Sequence, residues 1–302
     1  MYKIKQIPED FIVDEVNDTK FDNGRFFCYW MKKRNYNTLS AVEVVAKYNN
    51  LKISDFSWAG NKDKMAVTTQ LISTNKKLNN LSFDDIEISF AGNSDSPVSL
   101  GFLRGNHFKI TIRDIDSLPD FSDKFINYFG VQRFSENNIE VGKSIIKKDF
   151  AKTVEILNLD VSGNNFINAI SHLPKKILSL YVHAYQSFIW NSAVNLYLED
   201  NPNFDVSVEI PIVGFGTQDI DKYSMIVLEK EGISKRDFVI RSLPDLSSEG
   251  SSRKIWTQAK DLIISELVDD DLNQGKKKVL ISFFLDKGVY ATEFLRQNFE
   301  NK

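Results

Sequence analysis

The sequence has one cysteine, Cys28, and three histidines, His107, His172 and His183, in 302 residues. A single thiol excludes an internal disulfide framework, and the absence of Cys-x-x-Cys or His-Glu-x-x-His spacing leaves no metal ligand set to read. Long hydrophobic runs are missing as well. Stretches such as Val279 to Leu285 stop far short of the roughly 20 apolar residues that a bilayer span requires, and Met1-Tyr2-Lys3-Ile4-Lys5 does not open a signal-type apolar core. The expectation is a soluble cytoplasmic protein with no membrane association, no metal and no evident protein partner. Its chemistry must come from carboxylates, amides, hydroxyls and aromatic rings.

A surplus of positive charge is also lacking. The chain carries 38 Lys and Arg against 41 Asp and Glu, a formal net charge of -3, whereas phosphate contacts usually draw on an excess of cations. The charge is unevenly spread, however. Lys32-Lys33-Arg34, Lys147-Lys148, Lys175-Lys176 and Lys276-Lys277-Lys278 are local basic runs, each readable as a solvated surface or as part of one basic face. Gly142-Lys143-Ser144 imitates the end of a phosphate-binding loop, but that loop needs a glycine five positions earlier, where Asn137 stands.

What is present is enough apolar sequence, 42%, for one large domain or two ordinary ones. β-type runs at Phe11 to Val16 and Phe26 to Lys32 precede a helical pattern from about Leu39 to Tyr48, with Thr38 or Ser40 as cap and Glu43 completing a capping box. Alternation predicts further strands at Ala66 to Ser73, Ile86 to Phe90 and His107 to Arg113. Short turns separate them, so an α+β arrangement with antiparallel strands is expected. From about Asn138 to Asp200 the apolar spacing turns helical. After a looser stretch around Asn201-Pro202-Asn203, Gly214 and Ser247 to Ser252, a helix near Lys254 to Leu267 leads to a final strand at Val279 to Leu285, which is expected to pair back with the first half.

Three segments place polar residues, glycine and aromatics where a core would want apolar alternation. Trp58 to Gln70 sets Asp63 between Lys62 and Lys64 on a Gly60-Asn61 turn, where the ammonium groups would favour an ionised carboxylate; a charged hairpin turn reads the same way. Leu103 to Arg113 is a Gly105-Asn106 turn into a strand with Lys109, Thr111 and Arg113 on one face, either a phosphate track or an exposed face. Asn127-Tyr128-Phe129-Gly130-Val131-Gln132-Arg133-Phe134 joins rings to an amide and a guanidinium. Such a group can receive an unstacked RNA base, or it can be a partly buried aromatic turn.

In this order, the three segments resemble the TruD family of tRNA pseudouridine synthases. The family's catalytic pattern is matched by Ala59-Gly60-Asn61-Lys62-Asp63-Lys64-Met65-Ala66-Val67-Thr68-Thr69-Gln70, its Asn-Tyr-Phe-Gly-x-Gln-Arg-Phe motif by Asn127 to Phe134, and its Gly-x-Leu-x-Gly-Asn-x-Phe pattern by Gly101 to Phe108. Weaker matches lie at Pro8 to Glu15, Lys33 to Thr38 and Gly288 to Thr292. Departures are Ile126 where the family often has Pro, Ser135 where it often has Gly, and Tyr290 for the usual Phe.

The resemblance implies a pseudouridine synthase catalytic domain with a central, mainly antiparallel sheet, formed by residues 1–145 and 251–302, and a TruD-type α/β insertion domain at 146–250. It implies isomerisation of uridine, usually uridine 13, in tRNA, with Asp63 as the catalytic aspartate, Phe129 as the ring packing on the target base and Asn127 as an amide near the aspartate. Lys62, Glu15, Asn106, Tyr290 and Arg133 correspond to further substrate-binding positions. No organic cofactor is implied, because isomerisation involves neither redox change nor group transfer. Two other readings compete: an RNA-binding protein that keeps the scaffold without catalysis, and an enzyme of small molecules.

Overall fold

Alternating apolar and polar residues become strands in the computed structural model, which describes residues 2–79, 81–83, 85–135, 137–202 and 207–300. Asn203 of the looser stretch lies outside the described residues. Strands β1 (Phe11–Asn17) and β2 (Phe26–Arg34) precede helix α1 (Thr38–Tyr48), and β3 (Phe56–Trp58), β4 (Val67–Thr74), β5 (Leu81–Phe83), β6 (Ile86–Ser94) and β7 (Leu103–Ile115) follow. Next come β8 (Lys124–Ile126), α2 (Asn138–Ile146), α3 (Phe150–Leu157), α4 (Phe166–Ser171), α5 (Lys175–Asp200), β9 (Glu209–Ile212) and α6 (Lys222–Glu231). The chain continues with β10 (Ser251–Lys254), β11 (Trp256–Gln258), β12 (Lys260–Ile264), β13 (Val268–Asp269), β14 (Lys277–Asp286) and α7 (Ala291–Glu300). Among the described residues no helix is long and apolar enough to cross a membrane.

The chain divides into two compact units, Met1–Lys124 with Gln258–Lys302, and Phe125–Thr257. The segment 146–250 lies inside the second unit, which also takes in 125–145 and 251–257. The first unit is built on one sheet in the order β12-β14-β7-β1-β4-β2-β6-β5, with β13 on β14 and β3 on β4. Within this sheet only β1 and β4 pair in parallel; its other ladders are antiparallel. The fold is therefore α+β with a mainly antiparallel central sheet. The C-terminal strand rejoins the first half as expected, since β14 pairs with β7 from Lys277↔Ile115 to Asp286↔Gly105.

Packing explains where the sheet is covered. Ala41, Val42, Val45 and Ala46 recur at helical spacing on α1 and bury against Tyr29, Met31, Ile72 and Ile88. The cap of α1 is neither Thr38 nor Ser40 but Asn37, whose side chain accepts from the Ser40 amide; Thr38 is fully buried and engaged elsewhere. On α7, Phe294 packs on Phe283 of β14 with ring centroids 4.6 Å apart.

Three expectations are corrected. Lys254 to Leu267 is not a helix but parts of β10, β11 and β12. Apolar residues at Ile255, Ala259, Leu262 and Ile263 imitate a helical period, but the free edge of β14 recruits the backbone, pairing Lys260↔Phe284, Ile263↔Ser282 and Ile264↔Ile281, and Asp261 takes a left-handed conformation that a helix does not tolerate. Gly105-Asn106 is not a turn but the interior of β7. A Cβ on Gly105 would lie 2.2 Å from the Leu285 carbonyl oxygen, so the glycine serves the close approach of β14. Arg113 is not on an exposed basic face: it is 3% exposed and binds Asp10 at 2.8 Å, Asp270 at 2.7 Å and Asp271 at 2.8 Å. A guanidinium this buried and ringed by carboxylates does not present itself to phosphate.

The second unit is mainly helical. Helix α5 buries residues on several sides, among them Leu178, Val182, Tyr185, Ile189, Trp190 and Val194, and so lacks the single apolar stripe of a surface helix. Gly142 on α2 lets α5 come close, since a Cβ there would lie 2.1 Å from the Tyr181 carbonyl oxygen. Gly142-Lys143-Ser144 is thus helix interior, with Lys143 paired to Glu231 at 2.9 Å. Strands β9 and β10 form an antiparallel ladder from Ser251↔Ile212 to Lys254↔Glu209, and the Trp190 indole donates to the Ile210 carbonyl at 3.0 Å.

Candidate active site

The loop between β3 and β4 carries Asp63, and its main chain is fastened at four points. The Gln70 amide donates to the Gly60 carbonyl at 3.1 Å, and the Lys62 amide donates to the Thr38 hydroxyl at 2.7 Å. Lys33 Nζ donates to the Asp63 carbonyl at 2.9 Å, and the Asn35 amide donates to the Ala66 carbonyl at 3.1 Å. Thr38 in turn donates to Gln70 Oε1 at 2.8 Å, so the residues around the end of β2 and the start of α1 clasp the loop. The Asp63 side chain itself is 43% exposed and meets Lys5 Nζ at 2.5 Å. A fixed backbone under a half-exposed carboxylate is a suitable mounting for a nucleophile or base.

Behind the loop, Lys62 does not serve Asp63. Its ammonium lies 2.9 Å from Glu15 Oε2, with side-chain exposures of 9% and 0%. Glu15 also accepts from Asn17 Nδ2 at 3.0 Å and from the Leu71 amide at 3.4 Å, which is the satisfaction a buried carboxylate needs. Asn106 is the β7 partner of Glu15 in register; its buried side-chain oxygen accepts no hydrogen bond among the described residues. Tyr290 stands between β14 and α7, where its carbonyl accepts from the Glu293 amide at 3.1 Å.

Lys33 was one of a basic run, yet it is 1% exposed and its ammonium also donates to the Tyr36 carbonyl. Burial lowers its pKa to about 8, against the opposing pull of the Asp63 charge. Other members of the basic runs are neutralised by acids: Arg34 by Glu9 and Asp85, Lys148 by Asp237, Lys175 by Asp245, and Lys276, Lys277 and Lys278 by Asp116, Asp269 and Asp271.

In the second unit Phe129, Asn127 and Arg133 form their own cluster. Asn191 of α5 grips the main chain of Phe129 from both sides: its Oδ1 accepts from the Phe129 amide at 3.0 Å and its Nδ2 donates to the Phe129 carbonyl at 3.0 Å. The Phe129 ring, 8% exposed, meets Trp190 edge-on at 5.5 Å, and the Arg253 guanidinium lies 4.2 Å from its centroid. Arg253 is aimed by Asn127, donating to its Oδ1 at 2.5 Å and its carbonyl at 2.8 Å. The Arg133 Nε donates to Ser187 at 3.1 Å. Phe129, Arg133, His183, Gln186 and Ser251 are among the residues lining a cavity of about 260 Å³ that has no acidic side chain in its wall. His183 is held below the ordinary histidine pKa by partial burial and by the Arg133 charge.

A family model described as tRNA pseudouridine synthase D (TruD) matches residues 2–162, 155–226 and 202–298. The chain belongs to the TruD family. Relatives are curated under the name "Probable tRNA pseudouridine synthase D" in Nanoarchaeum equitans, 28% identical over 98% of both chains, and in Thermococcus sibiricus, 26% identical over 98% of this chain and 94% of the other. A crystal structure titled "Putative tRNA pseudouridine synthase D (TruD) from Methanosarcina mazei" shares the fold, with a TM-score of 0.75, 23% identity and coverage of 99% and 93%. Family membership identifies the chain as a tRNA pseudouridine synthase, an isomerase.

Within the TruD chain, the structure assembles Asp63, Lys62, Glu15 and Asn106 in the first unit and Phe129, Asn127 and Arg133 in the second. Sequence reading missed Lys5, Gln70 and Thr38 as partners of the first group. It also missed Asn191, Trp190 and Arg253 in the second. Gln70 and Thr38 lay inside quoted motifs, so a signal existed for them; Lys5 and Arg253 carried none.

Proposed function

We propose that this chain converts uridine 13 of tRNA to pseudouridine, with Asp63 as the catalytic group. The observation that carries the reading is the mounting of Asp63, a half-exposed carboxylate on a main chain fastened at four points. The reaction breaks the bond from C1′ to N1, turns the uracil while it stays bound, and joins C1′ to C5, the C5 hydrogen leaving as a proton and N1 taking one up. Asp63 serves by attacking C1′ or C6, or by assisting removal of the 2′ proton. The target base is flipped from the RNA and packs on the Phe129 ring, whose backbone Asn191 fixes and whose face Arg253 and Asn127 support. Lys62 with Glu15, Asn106, Tyr290 and Arg133 contribute to substrate binding, Arg133 through its place in the wall of an acid-free cavity. The enzyme acts in the cytoplasm with tRNA as its partner and needs no cofactor, since isomerisation exchanges neither electrons nor groups with a second reactant.

The test is tritium release from tRNA labelled at C5 of uridine, with mapping of the product. Native protein is expected to release tritium and to mark position 13, while Asp63→Asn loses on the order of 10⁴-fold in rate. Tight, salt-sensitive RNA binding without release would instead indicate an RNA-binding protein.

A further inference from the structure

Period-2 alternation along β2 places Tyr29, Met31 and Lys33 in the buried set, while Lys32 and Arg34 are exposed. The first two of that set are core residues, and a methionine or leucine would suit the third. Lys33 stands there instead, 1% exposed. Its ammonium donates to the carbonyls of Tyr36 and Asp63, and among the described residues it pairs with no carboxylate. The other two lysines of the cluster are compensated, Lys62 by Glu15 and Lys5 by Asp63.

Burying an ammonium that makes no direct ion pair is costly, and nothing in the packing of β2 asks for it. Its bonds have one geometric effect. They tie the turn after β2 to the peptide of Asp63, so that the direction in which the Asp63 carboxylate leaves the main chain is set by a group rooted in the central sheet. A loop peptide held only by other loop residues would let that direction drift, and misplacement of a reacting group by about 1 Å can cost about 10²-fold in rate.

We infer that Lys33 is a positioning residue for the reaction, acting through the main chain of Asp63. The inference rests on the proposed role of Asp63. It differs from a merely structural role in what each substitution should change. Lys33→Met removes a buried charge as well as two hydrogen bonds, effects of opposite sign on stability, so its unfolding midpoint should stay within about 5 °C of native. Its kcat for tRNA should fall by about 10²-fold while KM changes by less than about 3-fold, because the interaction bears on the reacting group and not on ground-state binding. Lys33→Arg, which keeps the charge and the donors, should restore a large part of kcat.

The experiment measures kcat, KM and thermal unfolding for native, Lys33→Met, Lys33→Arg and Asp63→Asn full-length protein on the same tRNA. A drop in kcat at near-native stability, rescued by arginine, supports the inference. Native-like kcat in Lys33→Met, or a loss that follows a fall in the folded fraction, overturns the role of Lys33 and leaves that of Asp63 standing if Asp63→Asn is inactive. An inactive native protein, or an active Asp63→Asn variant, overturns both.

Discussion

The Asp63 loop and the Phe129 turn hold their key side chains by different means. Around Asp63, beside the neutral clasps of Gln70, Thr38 and Asn35, charges take part: Lys5 on the carboxylate, Lys33 on the peptide, Lys62 with Glu15 beneath. Around Phe129 the partners are an amide on the backbone and rings or a guanidinium on the side chain. In the proposed reaction a carboxylate acting on RNA gains from fixed cations close by, whereas a ring proposed to receive a base needs a flat face held at a fixed height. The difference teaches that the first support should be sensitive to loss of single charges, and the second to loss of shape.

The largest effect should come from Lys62→Met. It strands Glu15, whose side chain has no exposure, and should cost about 3–5 kcal/mol in urea denaturation. A Lys62→Met protein of near-native stability would break the comparison at its first limb.

A middling effect is expected from Asn191→Ala. Two hydrogen bonds to the Phe129 main chain are lost, and the turn loosens at a cost of about 1–3 kcal/mol. Activity should fall while the charged cluster around Asp63 keeps its salt response, and an altered salt dependence of kcat would argue against separate supports.

The smallest effect near neutrality, growing in acid, belongs to the Arg113 network. Hydrogen bonds from Lys278 and Arg113 bring Asp271 down to about 2, and Asp270 lies below the ordinary carboxylate range, where backbone and side-chain hydrogen bonds, those from Leu272 and Asn273 foremost, outweigh its burial. A depressed folded-state pKa means that the unfolded chain binds more protons in this window. Stability is therefore full above the ordinary carboxylate pKa and is lost as pH falls towards 2 and below. Urea midpoints of native protein should fall between pH 5 and pH 2, and Arg113→Met should flatten that slope.

Much of the first unit was legible in the sequence because its strands alternate and its turns are short. β1, β2, β4, β6, β7 and β14 fall where alternation puts them. The failures have identifiable causes. Apolar spacing from Ile255 to Ile263 fits a helix, but pairing to the edge of β14 decided otherwise. Helix α6 went unread although Asp221 caps it and Gly232 ends it in a left-handed conformation. Lys33 sat in a basic run, where position in the alternation pointed inward and charge pointed outward.

By itself the sequence determined the family, the α+β class, the mainly antiparallel sheet and the segments bearing Asp63 and Phe129, because motifs and alternation are local properties of the chain. Tertiary structure alone decided the partners. Lys5 meets Asp63 across 58 positions and Arg253 meets Asn127 across 126, and no local pattern encodes such pairs. It also decided which cations are free, since a lysine or arginine reads the same in sequence whether it faces water, as Lys109 does, or is buried under three carboxylates, as Arg113 is. Burial and counter-charge are set by what the folded chain brings alongside.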